Sequence, residues 1–517
     1  MKKVENHLIL NITRMGDIIQ SAPLLTNLKK KGVKISYLLL SNFKETATLI
    51  PEIDEIIELD FSSLLEAIDR FDFATAFNYF KYFEEDLLKI KFKKLYNLSF
   101  SKLSAYLSYF INSDYKKGLI FKRSNEFVAN DNWSRFFLSI VDYREFSPFN
   151  LVDIYSMIGS ANSGNIFIER IDNKESLKIG FVMGASSYDR RWSPENFAIL
   201  AEKILKEFPL SRIILFGTKS EKELGERFFK YFKFDKGNIV DLIGKTTVKE
   251  LAEEIKNIDI LITNDTGTMH LAWYFGKRVI ELSLGPALYN TTGPYGDGHI
   301  VVQPEIDCVP CSYKTKCKTL HCHKLISADV VMQCLRFLLK EERNFSSCNN
   351  VKILETYFDR KGFLSFKLIH GKKTKDIELR ELLKDIWIDT LEKCLKKNEK
   401  YIINREARFY LIYKYISNIK KIIENCLNYI EKNRIDDVEG SIELLYNIDY
   451  ELRNLIYSNY KELIPFYKYF EFSKNLLSET DLKFNLKSLK HLYDILLWQI
   501  KMLEYKNLNG GEYESLS

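Results

Sequence analysis

The chain has 517 residues, 46% hydrophobic and 28% charged, with a formal net charge of +6. That length admits two or three domains with sizeable cores. So small a charge argues against a dedicated nucleic-acid binder, while local basic surface could still attract phosphorylated glycans or anionic headgroups. The charged start Met1-Lys2-Lys3-Val4-Glu5-Asn6 leads into the apolar run His7-Leu8-Ile9-Leu10. That run is too short for a signal peptide or a membrane span, so the expected location is the cytoplasm, with peripheral contact at the inner membrane face left open.

A strand is expected over 8–11, followed by the turn Arg14-Met15-Gly16-Asp17 and a helix continuing to about Lys30. Further strands are expected over 33–40, 53–59 and 73–77, with helical segments between them. A second series starts at Leu177 and continues through 212–216, 239–242, 258–263 and 278–282. Alternation of this kind implies two parallel sheets covered by helices, with a cleft between the two halves. A ligand then lies beyond the carboxyl ends of the strands, where the loops after Asn11, Met183, Phe216, Thr263 and Leu284 collect.

The most informative stretch is 258–272, in which an apolar run ends in Asn264-Asp265-Thr266-Gly267-Thr268 and turns into the helical pattern Met269-His270-Leu271-Ala272. Amides at a helix start have no intrahelical acceptor, and small residues let an anion approach them, so a diphosphate is the expected guest. Asp265 would repel that phosphate unless it binds hydroxyls, caps the helix or orients His270, which points to a ligand carrying both hydroxyls and phosphates. An ordinary capped helix after a buried strand is the plainer alternative.

From about residue 349 the pattern changes. Runs over 351–358 and 363–370 flank Asp359-Arg360-Lys361-Gly362 and read as a β-hairpin. Beyond it, apolar residues recur at Ile412, Ile416, Ile419, Ile423, Cys426 and Ile430, and again at Leu482, Leu486, Leu489, Tyr493, Leu496, Ile500 and Leu503. Each series makes a narrow seam along a long helix. Either the helices close on one another as a bundle, or they serve self-association or a protein partner. The resulting division is 1–172, 173–348 and 349–517, the last a hairpin plus helical accessory domain.

The order and spacing of several motifs resemble glycosyltransferase family 9, the heptosyltransferases of the lipopolysaccharide inner core. They are Arg14-Met15-Gly16-Asp17 with Pro23, Gly184-Ala185-Ser186-Ser187 running into Arg190-Arg191-Trp192-Ser193-Pro194-Glu195-Asn196-Phe197, Asp241-Leu242-Ile243-Gly244-Lys245-Thr246, Asn264 through His270, and Gly285-Pro286 followed by Thr292-Gly293-Pro294-Tyr295-Gly296. The resemblance covers roughly 7–345 and not the last third. It implies an α/β GT-B fold of two Rossmann-like domains, an acceptor held mainly by the first and a nucleotide-sugar donor held mainly by the second. The reaction it implies is inverting transfer without a metal or other cofactor, most simply of heptose from ADP-heptose to a hydroxyl of a lipopolysaccharide core or related glycan. Other donors and acceptors (capsule, surface-layer or protein glycans) and a non-catalytic scaffold working through the helical tail are the rivals.

The same resemblance makes Asp17 the candidate base, with Arg14 and Gly16 shaping its turn. An ordinary Asp is a weak base near neutral pH, so it would act by positioning the hydroxyl and taking its proton late; the alternative is a mere helix cap. Arg190 stands where the family usually has Lys, retaining the charge and adding a bidentate fork for the leaving diphosphate; a solvated basic turn is the bland reading of Arg190 and Arg191. Ser186, Ser187, Asp265, Thr266, Gly267, Thr268 and His270 complete the donor set, a structural helix histidine being the plainer reading of His270, with Glu221 on ribose hydroxyls and Lys245, Thr246 and Thr247 near the base. Trp192 reads as a core anchor.

Cys308, Cys311, Cys317 and Cys322 form C-x2-C-x5-C-x4-C. Four soft ligands at this spacing suit a structural zinc or, second to it, an iron–sulfur cluster. Reduced thiols packing the loop and, third, disulfides are the alternatives. Cys334, Cys348, Cys394 and Cys426 read as core residues.

Overall fold

The computed structural model describes residues 4–508, apart from 62, 64–65, 67–68, 71, 73, 76–77, 79–86, 123–126, 161–165, 170, 172–174, 313–316, 341–344, 346–347, 373–374, 393–408, 433, 476 and 478–480. Cys394 and three residues of the expected strand 73–77 lie outside the described residues. The strands are β1 (Asn6–Leu10), β2 (Lys34–Leu40), β3 (Glu55–Leu59), β4 (Phe92–Asn97), β5 (Ser113–Lys117), β6 (Leu119–Phe121), β7 (Phe127–Ala129), β8 (Lys178–Val182), β9 (Arg212–Phe216), β10 (Ile239–Asp241), β11 (Ile260–Asn264), β12 (Arg278–Leu282), β13 (Ile300–Pro304), β14 (Val351–Phe358) and β15 (Leu364–His370).

The first sheet has the order β3-β2-β1-β4-β5, and β1 runs parallel to both β2 and β4. Leu8, Ile9 and Leu10 are wholly buried, and β2 is buried from 35 to 39. A parallel strand covered on both faces shows such an unbroken apolar run rather than alternation. The helix Ala22–Lys30 starts with Pro23 in its first turn, where the missing N–H has no intrahelical acceptor to satisfy. The run expected as a strand at 73–77 is helical in its described residues Ala74 and Thr75. The reason is local: Asp72 accepts the Thr75 N–H at 3.0 Å and its hydroxyl at 2.7 Å, the side-chain bonding of a helix start.

The second sheet has the order β10-β9-β8-β11-β12-β13-β14-β15. It is parallel from β10 to β13, and β14 and β15 then pair antiparallel. The expected hairpin therefore exists, with Asp359 Oδ1 accepting the N–H groups of Lys361 and Phe363 and Gly362 at φ +82° in its turn. Its assignment to the helical accessory domain is corrected: β14 pairs with β13 from Ile300 to Pro304, so the hairpin extends the second sheet.

Packing separates two compact units, one of residues 1–99, 110–115 and 149–373, the other of 100–109, 116–148 and 374–517. This corrects the expected boundaries at 172 and 348, because 100–109 and 116–148 cluster with the C-terminal helices. Within that second unit the helix Asn132–Ile140, capped by Asp131, packs on the helix Ile464–Lys474. The Phe136 ring meets Trp387 at 4.7 Å, and Trp387 stacks on Phe466 at 4.8 Å. Asn132 Nδ2 donates to the carbonyl of Leu391 at 2.9 Å.

Most of both apolar seams turns inward: Ile412, Ile416, Ile419, Ile423 and Cys426 are wholly buried in the helix Tyr410–Glu431, as are Leu496, Ile500 and Leu503 in the helix Leu482–Leu508, whereas Ile430 and Leu489 are half-buried and Leu482 is exposed. Asp449 accepts hydrogen bonds from the Tyr467 and Tyr493 hydroxyls at 3.0 and 2.5 Å and pairs with Lys474 at 2.5 Å. The helices thus close on one another as a bundle. Among the described residues no helix is long and apolar enough to cross a membrane.

Phe136→Ala should cost about 3–5 kcal/mol, the usual penalty for emptying a buried aromatic site. Amide exchange along Ile464–Lys474 should rise with it; unchanged exchange there would contradict the packing.

Candidate functional site

Each parallel sheet reverses its strand order once, at β1/β4 and at β8/β11. Those are the points where loops leave in opposite directions and a crevice opens beyond the strand ends. The loops after β1, β8 and β11 carry Asp17, then Ser186, Ser187 and Arg190, then Asp265 to Thr268. All belong to the first compact unit.

The end of β11 is fixed by Asn264, which is wholly buried. Its Nδ2 donates to the carbonyls of Met183 and Gly184 at 3.0 Å each, and its Oδ1 accepts the Trp192 N–H at 3.0 Å. The Trp192 indole is wholly buried and donates to Ile326 O at 2.7 Å, so it is the expected core anchor. The turn between these fixed points is thereby held beside the start of the helix Gly267–Tyr274. There Arg190 Nη1 meets Asp265 Oδ2 at 2.9 Å, with only 11% and 10% of the two side chains exposed.

Arg191 turns elsewhere, donating through Nε and Nη2 to Ala185 O. Ser187 donates to the Asp189 carboxylate, and Ser186 is exposed. Thr266 caps the helix by accepting the Met269 N–H. Glu221, at the end of the turn after β9, accepts the Thr218 N–H at 2.7 Å. Its carboxylate also lies over Gly184, where any Cβ would stand 1.7 Å from Oε1. Lys245 instead bonds Asp241, through its carbonyl at 2.7 Å and its carboxylate at 3.1 Å. Thr247 caps the helix Val248–Lys256.

Asp17 sits half-buried in the helix Met15–Gln20, where its Oδ2 accepts the Arg14 N–H at 3.3 Å. The Arg14 side chain is exposed. Asn11, wholly buried, donates to Asp17 O at 3.3 Å and to the Tyr37 hydroxyl at 3.0 Å, and that hydroxyl also meets Ser21 at 2.9 Å. This network anchors the backbone of the turn that carries Asp17.

His270 departs from expectation. It is only 4% exposed, its Nδ1 accepts the Trp273 indole N–H at 3.1 Å, and burial pushes its pKa down to about 3. At neutral pH it therefore carries no charge for a diphosphate.

The sequence reading missed Glu281. It lies wholly buried on β12, level with Thr263 of β11, and neither carboxyl oxygen makes a hydrogen bond of ordinary geometry among the described residues. Burial, followed by the nearby Asp265 charge, holds its pKa well above the usual carboxylate range, against smaller opposing effects of Ser283 and Arg190. Gly293 makes room for it, since a Cβ there would stand 2.9 Å from Oε2. A lone Glu within the strand sequence Arg-Val-Ile-Glu-Leu was the available signal.

The four loop cysteines converge. Cys308, Cys311, Cys317 and Cys322 line one cavity of about 300 Å³ together with Asp189, Gly285 and His321. All four are free thiols, in place of the disulfide alternative. Burial pushes the Cys311 thiol up to about 11, whereas the Leu320 N–H bonded to Cys317 Sγ at 3.4 Å lowers that thiol. Among the described residues no three such side chains already stand as a metal-ligand set.

Residues 161–322 match the family model for glycosyltransferase family 9 (heptosyltransferase). The chain is similar to lipooligosaccharide heptosyltransferase 2 of Campylobacter jejuni, with 32% identity over 31% of this chain and 51% of the relative. It is also similar to lipopolysaccharide heptosyltransferase 1 of Campylobacter coli, with 26% identity over 53% of this chain and 82% of the relative. The chain spans about half the length of the first of these. Among solved structures, the ADP-heptose LPS heptosyltransferase II of E. coli aligns with a TM-score of 0.46 and 18% identity, over 66% of this chain and all of that one.

Because the unfolded Glu281 carboxyl titrates near 4.5 and the folded one well above it, its contribution to stability is complete below about pH 4.5 and is lost as pH rises through the folded value. Glu281→Gln removes that loss. The variant should match the wild type in acid and melt higher than it at pH 8; parallel melting-temperature profiles across pH would contradict the burial argument.

Proposed function

We propose that this glycosyltransferase-family-9-like chain is an inverting glycosyltransferase of GT-B type, moving heptose from ADP-heptose to a hydroxyl of a lipopolysaccharide core or related surface glycan. The single observation that carries the reading is the meeting of a nearly buried guanidinium, Arg190, with the Asp265–Thr268 turn at a helix start. Cation, amides and a hydroxyl-binding carboxylate together suit a nucleoside diphosphate sugar better than any simple anion.

In the proposed step the acceptor oxygen attacks the anomeric carbon from the face opposite the diphosphate, so configuration inverts. The bond from that carbon to the diphosphate oxygen breaks, its electron pair leaves with the nucleotide, and the acceptor proton passes to Asp17. Arg190 exchanges Asp265 for a phosphate oxygen, and the amides of Thr266, Gly267 and Thr268 meet the charge that builds on the leaving group. Asp265, released, accepts from a sugar hydroxyl. Ser186 and Ser187 donate to the diphosphate, and Glu221 accepts from the ribose. A nucleotide-activated donor makes the cytoplasm the proposed place of action, with the acceptor held by the loops of the first sheet.

The convergence of four thiols on one cavity favours a second, separate proposal, that Cys308, Cys311, Cys317 and Cys322 hold one structural zinc ion. Their softness and number match a closed tetrahedral site. The transfer step above uses none of these residues.

Asp17→Asn should lower transfer by about 10²–10⁴-fold, the range of a lost general base, with ADP-heptose affinity nearly unchanged. Retained turnover would remove Asp17 from the mechanism. Arg190→Ala should weaken donor binding by about 1.5–3 kcal/mol, as for a lost charge-assisted hydrogen bond; unchanged affinity would leave Arg190 a solvated turn residue. Elemental analysis of purified protein should find one zinc per chain, absent from Cys311→Ser, and metal-free protein with all four thiols reactive would overturn the zinc proposal.

A further inference from the structure

The loop after β1 and the helix after β11 touch at one defined place. Gly16 faces His270 so closely that a Cβ there would stand 2.7 Å from its Cδ2 and 3.2 Å from its Nε2. One turn earlier, a Cβ on Gly267 would meet Met15 Sδ at 3.4 Å. The two motifs thus interdigitate, each giving a glycine to a side chain of the other. On the far side of the imidazole, Trp273 donates to Nδ1, which leaves the ring proton on Nε2 and fixes the ring edge-on to the turn. Trp273 is itself wholly buried and lies against Tyr295, whose hydroxyl donates to Asp153 Oδ1 at 2.7 Å.

A ring held this way has little freedom to reach a ligand, but it is well placed as a spacer. We infer that His270 is a positioning residue: wedged between Trp273 and Gly16, it sets the distance between the Asp17 turn and the donor-side helix. The inference rests on the proposed transferase reading, because only there do Asp17 and the Asp265–Thr268 turn act on the two ends of one reacting bond. It differs from a donor-binding role for His270, which would make ligand affinity its main contribution. Small errors in such a separation lower the rate of the chemical step far more than they weaken binding, a misplacement of about 1 Å being worth on the order of 10²-fold. The neutrality of His270 fits the role, since burial disfavours the imidazolium and leaves an uncharged ring against Gly16.

The test is a double-mutant cycle in the full chain, with Gly16→Ala, His270→Ala and the pair, each assayed for kcat, donor KM and calorimetric ADP affinity. Each single variant should lose roughly 10–100-fold in kcat, with KM and ADP affinity within roughly threefold of wild type. In the double variant the added methyl enters the space the ring vacated, so its kcat should be no lower than that of Gly16→Ala alone. Losses that multiply would overturn the inference, as would a fall in ADP affinity as large as the fall in kcat. Should His270→Ala fail to fold, Trp273→Phe removes the fixing donor while keeping an aromatic ring, and the same split between kcat and KM is expected; its absence overturns the inference equally. A wild type that transfers no sugar from any nucleotide donor sinks the transferase reading and this inference with it, whereas transfer with an additive cycle sinks the inference alone.

Discussion

The candidate site depends first on the side-chain amide of Asn264. At the switch point of the second sheet it joins the end of β11 to the loop after β8: its N–H groups hold the carbonyls of Met183 and Gly184, and its oxygen holds the Trp192 N–H. Each such bond contributes about 0.5–1.5 kcal/mol net, but leaving one of these buried partners unsatisfied costs about 1–3 kcal/mol. An aspartate of the same shape could not donate to two carbonyls, and a leucine could do neither. Because the clamp fixes both ends of the 184–192 loop, Arg190 reaches Asp265 and Glu221 can rest on Gly184 without either loop being free to slide.

Two ionisable groups near that clamp carry no charge at neutral pH or are driven away from it. His270 and Glu281 are both buried and both driven toward their neutral forms, one by a lowered and the other by a raised pKa. Arg190 and Asp265 form a nearly buried ion pair beside the start of the helix Gly267–Tyr274. Such a pair is nearly neutral as a unit, and its members are most available to a ligand that supplies both an anion for the guanidinium and a hydroxyl for the carboxylate. In the proposed reading a sugar diphosphate does both at once, whereas inorganic phosphate would strand Asp265.

Much of this was legible in the chain because it is local. Unbroken apolar runs followed by small polar turns mark β1, β8 and β11, and the seams at Ile412–Ile423 and Leu496–Leu503 follow from helical spacing alone. What was illegible is what depends on partners far along the chain. β4 escaped notice because Lys93 and Lys94 interrupt its apolar residues, and 73–77 looked extended until Asp72 supplied a helix cap. The hairpin was visible but not its pairing with β13, and nothing in 116–148 announces that Phe136 seeks Trp387, 251 positions later. At the site itself the turn Asn264–Thr268 stood out by residue type and position after an apolar run, whereas Asp17, Arg190 and Glu221 were singled out by the family resemblance. The neutrality of His270 and the burial of Glu281 could not be read in either way, since both are set by neighbours from other strands and helices.

The central claim is that the crevice beyond β8 and β11 receives a nucleoside diphosphate. Isothermal calorimetry of the full chain with ADP, UDP, GDP and CDP tests it most directly. Saturable binding of ADP at one site is expected, tighter than the other three by on the order of tenfold, or about 1.4 kcal/mol. No binding of any of the four would contradict it.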